Sequence, residues 1–428
     1  MENRYDKYKD SGIAWIGEIP EHWEIGYVGK YFNEVNNRNT LQKETNTLQF
    51  KMGEIVCKSD GNSKYNPESI ESYNIVCPNT IMINGLNLSF DFISQRVALV
   101  KERGAITSAY LAMKPKDGCS PLFLTYLFKS YDYKKVFHSL GKGLRATLNY
   151  NIIRNELIII PPFLEQQSIA TYLDQKCSEI DELITLQEEM ITKLQSYKQS
   201  VITEAVTKGL DKNIPLKDSG IEWIGEIPEH WEVKRLKNVC STNNASLSDK
   251  TSKDFEFDYV DIGSVSFELG IHKTEKYTFQ NAPSRARKIA RLGDIIVSTV
   301  RTYLRAIDII NSEEKEKYIY STGFAILSPS KNILSEFMIY ICRSEYFTNQ
   351  VSIHSTGINY PSINDTALKM INIVMPPLPE QQSIATYLDQ KCSEIDALIS
   401  IKQQKIEKLK DYKKSLIFEC VTGKRKVS

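Results

Sequence analysis

Between Ser298 and Arg305 the chain reads Ser-Thr-Val-Arg-Thr-Tyr-Leu-Arg, which sets Arg301, Tyr303 and Arg305 at alternate positions. A guanidinium offers a planar fork of N–H donors that fits two acceptors on a guanine edge or a phosphate, and the Tyr303 hydroxyl can reach a phosphate oxygen. Upstream, Arg285, Arg287 and Lys288 form a compact basic cluster suited to phosphates. The same cluster also fits a plain solvated surface. Downstream, Asn359 and Tyr360 lie in a Gly357-Ile-Asn-Tyr-Pro-Ser362 turn with polar reach. The matching turn of the N-terminal half is Gly141-Lys142-Gly143-Leu144-Arg145, with Gln95 and Arg96 earlier. This is recognition chemistry: donors and positive charge aimed at a polyanion.

Reaction chemistry is missing. Pro161-Pro162-Phe163 resembles the proline pair of a methyltransferase box, but Ile160 stands where a polar residue must hold the amino group, and the second copy reads Met375-Pro-Pro-Leu378. There is no GxSxG, HExxH, nuclease cluster or glycine-rich cofactor loop, and Gly141 and Gly143 are not a P-loop. The five histidines show no metal spacing. The eight cysteines include no CxxC pair and read as reduced cytosolic thiols. The chain is therefore expected to be no enzyme, to bind no cofactor or metal of its own, and to act as a reader or a scaffold.

These candidate contacts sit in a frame that is written twice. Asp10–Ile25 and Asp218–Val233 agree at fourteen of sixteen positions, and Glu165–Asp181 recurs letter for letter as Glu380–Asp396. Between the shared blocks the sequence diverges, yet Asn79–Asn84 still parallels Gly293–Ser298, and Phe123–Ser130 parallels Phe337–Ser344. The inserts read as two drifted copies of one mixed fold, in an α+β chain with a pseudo-twofold repeat. The duplicated Trp15, Trp23, Trp223 and Trp231 favour packing within the frame over base stacking, and His22 and His230 read as structural.

After each Pro-Pro pair a long helical pattern begins. Leu173, Ile180, Leu194 and Val201 fall on one heptad position, with Leu183, Met190 and Tyr197 on the complementary one; Leu388, Ile395, Leu409, Leu416, Leu398 and Tyr412 repeat the pattern. Gln187, Lys402 and Lys405 interrupt the seam. Each helix is expected to run about 40 residues, or ~60 Å, and to need a partner, most simply the other copy in an antiparallel coiled coil.

Such an arrangement suits DNA. A dimeric reader with true twofold symmetry sees palindromes. A covalent duplication with diverged heads escapes that limit and fits an asymmetric, two-part target with an unread gap, measured by the helices. A formal net charge of +1 is low for a free-standing DNA binder, so binding must use local patches or partners. The alternative is a coiled-coil protein-interaction scaffold that does not read DNA. A third possibility, an intrinsic nuclease, lacks the motifs. No stretch of eighteen apolar residues and no apolar leader is present, so a cytoplasmic chain without membrane contact is expected.

The blocks SGIEWIGEIPEHWEV, GDIIVSTVRTYLRAI with STGFAIL, and PPLPEQQSIATYLDQK together resemble the specificity subunits of Type I restriction–modification systems. The resemblance spans essentially the whole chain. It implies two target recognition domains, residues 1–164 and 210–379, each followed by a spacer helix, residues 165–209 and 380–428. It implies a non-catalytic subunit that reads double-stranded DNA. The partners it implies are two methyltransferase (modification) subunits and, in the full complex, two restriction subunits that translocate DNA. S-adenosylmethionine, ATP and Mg belong to those partners. The shared helix entries, Glu165, Gln166, Gln167 and Glu380, Gln381, Gln382, are implied as docking sites for the methyltransferase subunits. The first insert departs from the second, with Asn84-Gly-Leu-Asn87 where the second has Ser298-Thr-Val-Arg301.

Overall fold

Proline and glycine set the ends of the two longest elements. In the computed structural model, which describes residues 4–58, 67–93, 95–141 and 146–427, one helix follows Pro161-Pro162 and spans Phe163–Lys208, 46 residues. Its copy follows Pro376-Pro377 and spans Leu378–Val421, 44 residues. Proline cannot donate to a preceding ladder and fits a helix start, so each pair turns a strand end into a helix entry. Gly209 (φ +76°) and Gly423 (φ +72°) end the helices in the left-handed region. A Cβ on Gly423 would collide with Pro20 and approach Trp23, and one on Gly209 would lie 3.2 Å from Trp231. The helix ends are thus fitted to the tryptophans of the repeated frame.

The chain divides into two units. The first comprises Met1–Gln187 with Gln404–Ser428, and the second Glu188–Gln403. The division passes through both long helices, so each unit holds a globular part and one segment of each helix.

In the first unit, strands β1 (Phe32–Glu34), β2 (Ile81–Ile83), β3 (Val97–Leu99) and β4 (Leu111–Pro115) form an antiparallel sheet in the order β1-β4-β2-β3. The second unit repeats it with β5 (Cys240–Thr242), β6 (Ile295–Ser298), β7 (Ile307–Ile309) and β8 (Phe324–Pro329), in the order β5-β8-β6-β7. Short apolar β-branched runs, buried along their length in β2 and β6, explain why these segments become central strands. Helix α1 (Pro121–Tyr133) lies in the first unit and its counterpart α3 (Ser335–Arg343) in the second; the long helices, second and fourth in this series, are α2 and α4. The second unit also has a five-stranded sheet built around Ala286–Ile289 and Ile319–Ser321.

Each core draws on both long helices. In the first unit Trp23 packs in a cluster with Leu173, Cys177 and Ile180 of α2 and Leu416, Ile417 and Cys420 of α4. In the second, Trp231 packs with Val201, Ile202 and Ala205 of α2 and Ile384, Leu388 and Cys392 of α4. Within the first unit the segments run antiparallel, since Arg425 lies over the Tyr172 ring while Lys413 bonds Asp181 at 2.6 Å. The second unit has the repeat counterpart of that bridge, Lys198 with Asp396 at 2.7 Å, with the helices exchanging roles.

The helix seam corrects one expectation. Leu183, Met190, Tyr197, Leu398 and Tyr412, placed on the complementary heptad position, are exposed. The inward set is Leu173, Cys177, Ile180, Ile184, Gln187, Ile191 and Leu194, spaced alternately by four and three. A stripe averaging 3.5 residues needs both steps, and taking three after Ile180 instead of four moves the line one residue round the helix. Lys405 is likewise exposed, whereas Gln187 is buried. Trp15, Trp23 and Trp231 pack inside as expected, but Trp223 is 44% exposed. Among the described residues no helix is long and apolar enough to cross a membrane.

Candidate nucleic-acid interface

In the second unit the loop after β6 is shaped by two arginines in an unusual backbone state. Arg301 (φ +51°) and Arg305 (φ +47°) both adopt the left-handed region and bracket a single 3-10 turn, Thr302–Leu304. Arginine has no local side-chain bond that favours this state, so the surroundings impose it, at a cost of roughly 1–3 kcal/mol each. The surroundings are visible. Thr299 Oγ1 donates to the Gly323 carbonyl (2.8 Å), Ala306 N–H donates to Ser298 Oγ (3.2 Å), and the Thr302 and Ser355 hydroxyls meet at 3.0 Å.

This loop is tied to the turn some sixty residues downstream. Val300 forms a bridge with Ser362, Ile363 N–H donates to the Thr299 carbonyl (2.8 Å), and Thr302 N–H donates to the Pro361 carbonyl (3.4 Å). The Arg301 guanidinium consequently lies 5.2 Å from the centre of the Tyr360 ring, a cation–π arrangement that orients it without consuming its donors. Arg305 lies 5.8 Å from the Phe267 ring. Arg301, Tyr303, Asn359 and Tyr360 are all exposed. Four of the candidates distant in sequence thus share one surface. Thr302, Ser355 and Phe267, which hold that surface in shape, carry no sequence signal beyond being polar or aromatic.

The basic cluster upstream divides. Ala286–Ile289 is a strand, so alternate side chains face opposite ways. Lys288 turns inward: its Nζ donates to Asn243 Oδ1 (2.6 Å) and to the Phe324 carbonyl, and burial pushes its pKa down. Arg287 covers the Phe279 ring at 4.7 Å and bonds the Ala286 carbonyl. Arg285 remains exposed. Lys288 is therefore a sheet-bracing residue, a correction to its reading as a phosphate contact.

In the first unit the loop between β2 and β3, residues 84–96, is organised from within. Arg96 is wholly buried. Its guanidinium donates to the carbonyls of Asn84 (2.9 Å), Leu86 (2.8 Å) and Asp91 (2.6 Å), while its backbone N–H donates to Asp132 Oδ2 (2.8 Å). Burial raises the Asp132 carboxyl pKa, and the Arg96 N–H opposes that rise. Arg96 thus acts as the internal post of the loop and cannot reach DNA, a second correction. The loop presents Phe90, Phe92 and Ile93 outward instead. Phe92 stacks on His138 at 4.8 Å, and Lys135 Nζ donates to its carbonyl (2.6 Å). Lys142 and Arg145 lie outside the described residues.

The helix entries have an internal task. Glu165 accepts from His22 Nε2 (2.8 Å), Trp23 Nε1 (3.1 Å) and the Tyr5 hydroxyl. Burial and this carboxylate together hold the Tyr5 phenol well above its ordinary pKa. Glu380 repeats the arrangement with His230 (2.7 Å) and Trp231 (2.9 Å). Gln166 accepts from Ser120 N–H (2.8 Å) and donates to the Pro161 carbonyl (2.9 Å). Gln381 accepts from Leu334 N–H (2.9 Å) and donates to the carbonyls of Asn332 (3.1 Å) and Pro376 (2.8 Å). Both glutamines are buried and cannot dock a partner, which corrects that reading; Gln167 and Gln382 are exposed. Among the described residues no group of three or more His, Cys, Asp or Glu is placed to hold a metal ion.

Residues 228–411 match the family model of the Type I restriction modification DNA specificity domain. Over its length the chain is similar to the Type I restriction enzyme MjaVIII specificity subunit of Methanocaldococcus jannaschii, at 25% identity over 96% of this chain and 94% of that one. The putative MjaX specificity subunit of the same organism is 26% identical over 96% of each chain. Among solved structures, a chain from work on assembly and conformational transition of the type I R-M system aligns with TM-score 0.70 at 17% identity, covering 95% of this chain and 99% of that one. The HsdS subunit from Thermoanaerobacter tengcongensis aligns with TM-score 0.51 at 17% identity, covering 95% and 98%. These two likenesses bear on the fold: a mixed α/β chain of two β-rich halves with two long helices. Together with the repeated frame, these matches make the chain similar over its length to the specificity subunits of Type I restriction–modification systems.

Proposed function

We infer that this chain is the address-reading subunit of a Type I restriction–modification complex. It carries no catalysis of its own. Its two globular parts, residues 1–164 and 210–379, each read one half of an asymmetric, gapped duplex target. The long helices, residues 165–209 and 380–428, set the gap and carry docking surfaces for two methyltransferase subunits, joined in the full complex by two restriction subunits. S-adenosylmethionine, ATP and Mg serve those partners.

One observation carries the reading. The two units share a sheet of the same strand order, yet the loop after the homologous strand is built in two unrelated ways. Conserved scaffolding with divergent loops at one topological place is what two different half-sites require. In the second unit Arg285, Arg287, Arg301, Tyr303, Arg305, Asn359 and Tyr360 are the proposed contacts, with Arg301 and Arg305 on base edges or phosphates. In the first, Lys142 and Arg145 are retained as proposed contacts.

The test is methylation sequencing of cells carrying this chain with its methyltransferase partner. A gapped, asymmetric motif is expected, and exchanging residues 234–375 for another insert should alter only one half of it. A swap that changes both halves, or neither, sinks the modular reading. A methylome unaffected by deleting the chain, with the methyltransferase active, points instead to a scaffold.

A further inference from the structure

The surface that holds Arg301 and Tyr360 also holds a side chain with no internal use. Ile358 is 100% exposed. An isolated exposed isoleucine on a surface is ordinary, but this one sits at the tip of a fastened turn. Thr356 and Ser362 form a bridge, with Thr356 N–H and Ser362 N–H each donating to the other's carbonyl at 2.9 Å. Ser362 in turn bridges to Val300. Gly357 (φ +106°) turns the chain where a Cβ would stand 3.1 Å from the Tyr360 carbonyl, so the tip is tight as well as tied. A β-branched side chain on such a turn has little conformational freedom to lose on contact.

Its neighbours name the occupant. Arg301, on the neighbouring loop and over the Tyr360 ring, sets a positive charge beside this turn. An apolar tip beside a guanidinium suits a polyanion with an apolar interior, which describes stacked bases between phosphate rails. The first unit offers an independent case. Its loop, held by buried Arg96, presents Phe90 and Ile93, the latter 94% exposed. At the position matching Ile358 its sequence also reads glycine then an apolar residue, Gly143-Leu144, outside the described residues.

We propose that Ile358 is an apolar wedge: on DNA it inserts against one base step of the second half-site and partly unstacks it. This rests on the reading of that surface as DNA-facing. The second half then selects sequence partly by how easily one step opens, besides hydrogen bonding to base edges. Steps that unstack cheaply, such as pyrimidine–purine steps, are favoured at that point.

The experiment uses the complex of this chain with its methyltransferase subunits and duplexes bearing 2-aminopurine at successive positions of the second half-site. Wild type is expected to raise the fluorescence at one step. Ile358→Ala should abolish that rise and weaken specific binding about tenfold, for the loss of its buried methyl groups, whereas Ile358→Leu should retain most of both. Flat fluorescence throughout a half-site that is bound specifically overturns the wedge. So does a rise that survives Ile358→Ala. Weaker binding by Ile358→Ala without any rise in wild type also overturns it, and points to contact with a thymine methyl. A wild-type complex that does not distinguish its methylated motif from scrambled duplex overturns the specificity reading itself, which none of the other outcomes does.

Discussion

The loop after β2 and the loop after β6 leave equivalent strands of equivalent sheets and then part company. Residues 84–93 wrap around the buried Arg96 guanidinium, so arginine serves the interior and aromatic and aliphatic side chains face out. Residues 299–306 are short, pinned by hydroxyl bonds, and carry two arginines on left-handed backbone, Arg301 exposed and Arg305 half-buried over the Phe267 ring. The same residue type, one strand-end away, is a structural post in one half and an exposed side chain, the proposed reader, in the other. What decides is which groups surround it: Arg96 meets three carbonyls that accept from it, while Arg301 lies over an aromatic face.

The largest expected effect breaks the first loop alone. Arg96→Ala takes their donor from the Asn84 and Leu86 carbonyls, while His138 Nε2 stays 3.1 Å from the Asp91 carbonyl, and should destabilise the first unit by roughly 3–5 kcal/mol. Hydrogen exchange should show protection lost in and around residues 84–96 while the second unit is unchanged. Uniform loss across both units would contradict the role assigned to Arg96.

Next come the shared helix entries, where the two halves should behave alike. Glu165→Ala and Glu380→Ala each strand a buried indole N–H and should cost about 1–3 kcal/mol, read as lowered protection in the corresponding unit only. Glutamine at either place should recover part of the loss. If either change weakens methyltransferase binding with the fold intact, the docking role returns to these residues.

Arg301→Ala sharpens the contrast with Arg96. It should leave the melting curve near wild type and lower affinity for the specific duplex by about 1–3 kcal/mol, measured by fluorescence anisotropy at fixed salt. Relaxed preference at one base pair marks a base contact; a uniform loss with a shallower salt slope marks a phosphate contact. The smallest effect concerns the helices. Lys413→Ala and Lys198→Ala remove partly exposed ion pairs with Asp181 and Asp396, and each should cost at most ~1 kcal/mol. A thermal shift that differs markedly between the two would mean that the bridges are not equivalent.

Much of the frame was legible because it is local or repeated. Pro-Pro pairs announce helix starts, and duplicated tryptophans announce packing. The seam was half legible: Leu173 and Ile180 fix one line, but only the fold decides between a step of three and a step of four. The candidate contacts divided along a physical boundary. Charge is readable from sequence and burial is not, so Arg96 and Lys288 looked like Arg301 until the strand pairing and the carbonyls around them were known. Glu165 and Gln166 looked like docking residues because they recur in both halves. Both halves also have the same tryptophan and the same helix entry to brace, and these residues do that in each.

The exchanged bridges carry one more consequence. Asp181 and Lys198 lie on one helix, and the residues that answer them, Lys413 and Asp396, are their own repeats on the other. Each half thus already holds both the plug and the socket. A gene half as long, encoding residues 1–212, would supply everything the pairing needs once two copies met. Such a pair would be a true twofold dimer with two identical heads. If each globular part reads one half-site, as proposed above, such a dimer would read a palindrome of the first half-site, and the host could gain a new address by truncation alone, without a single new contact residue.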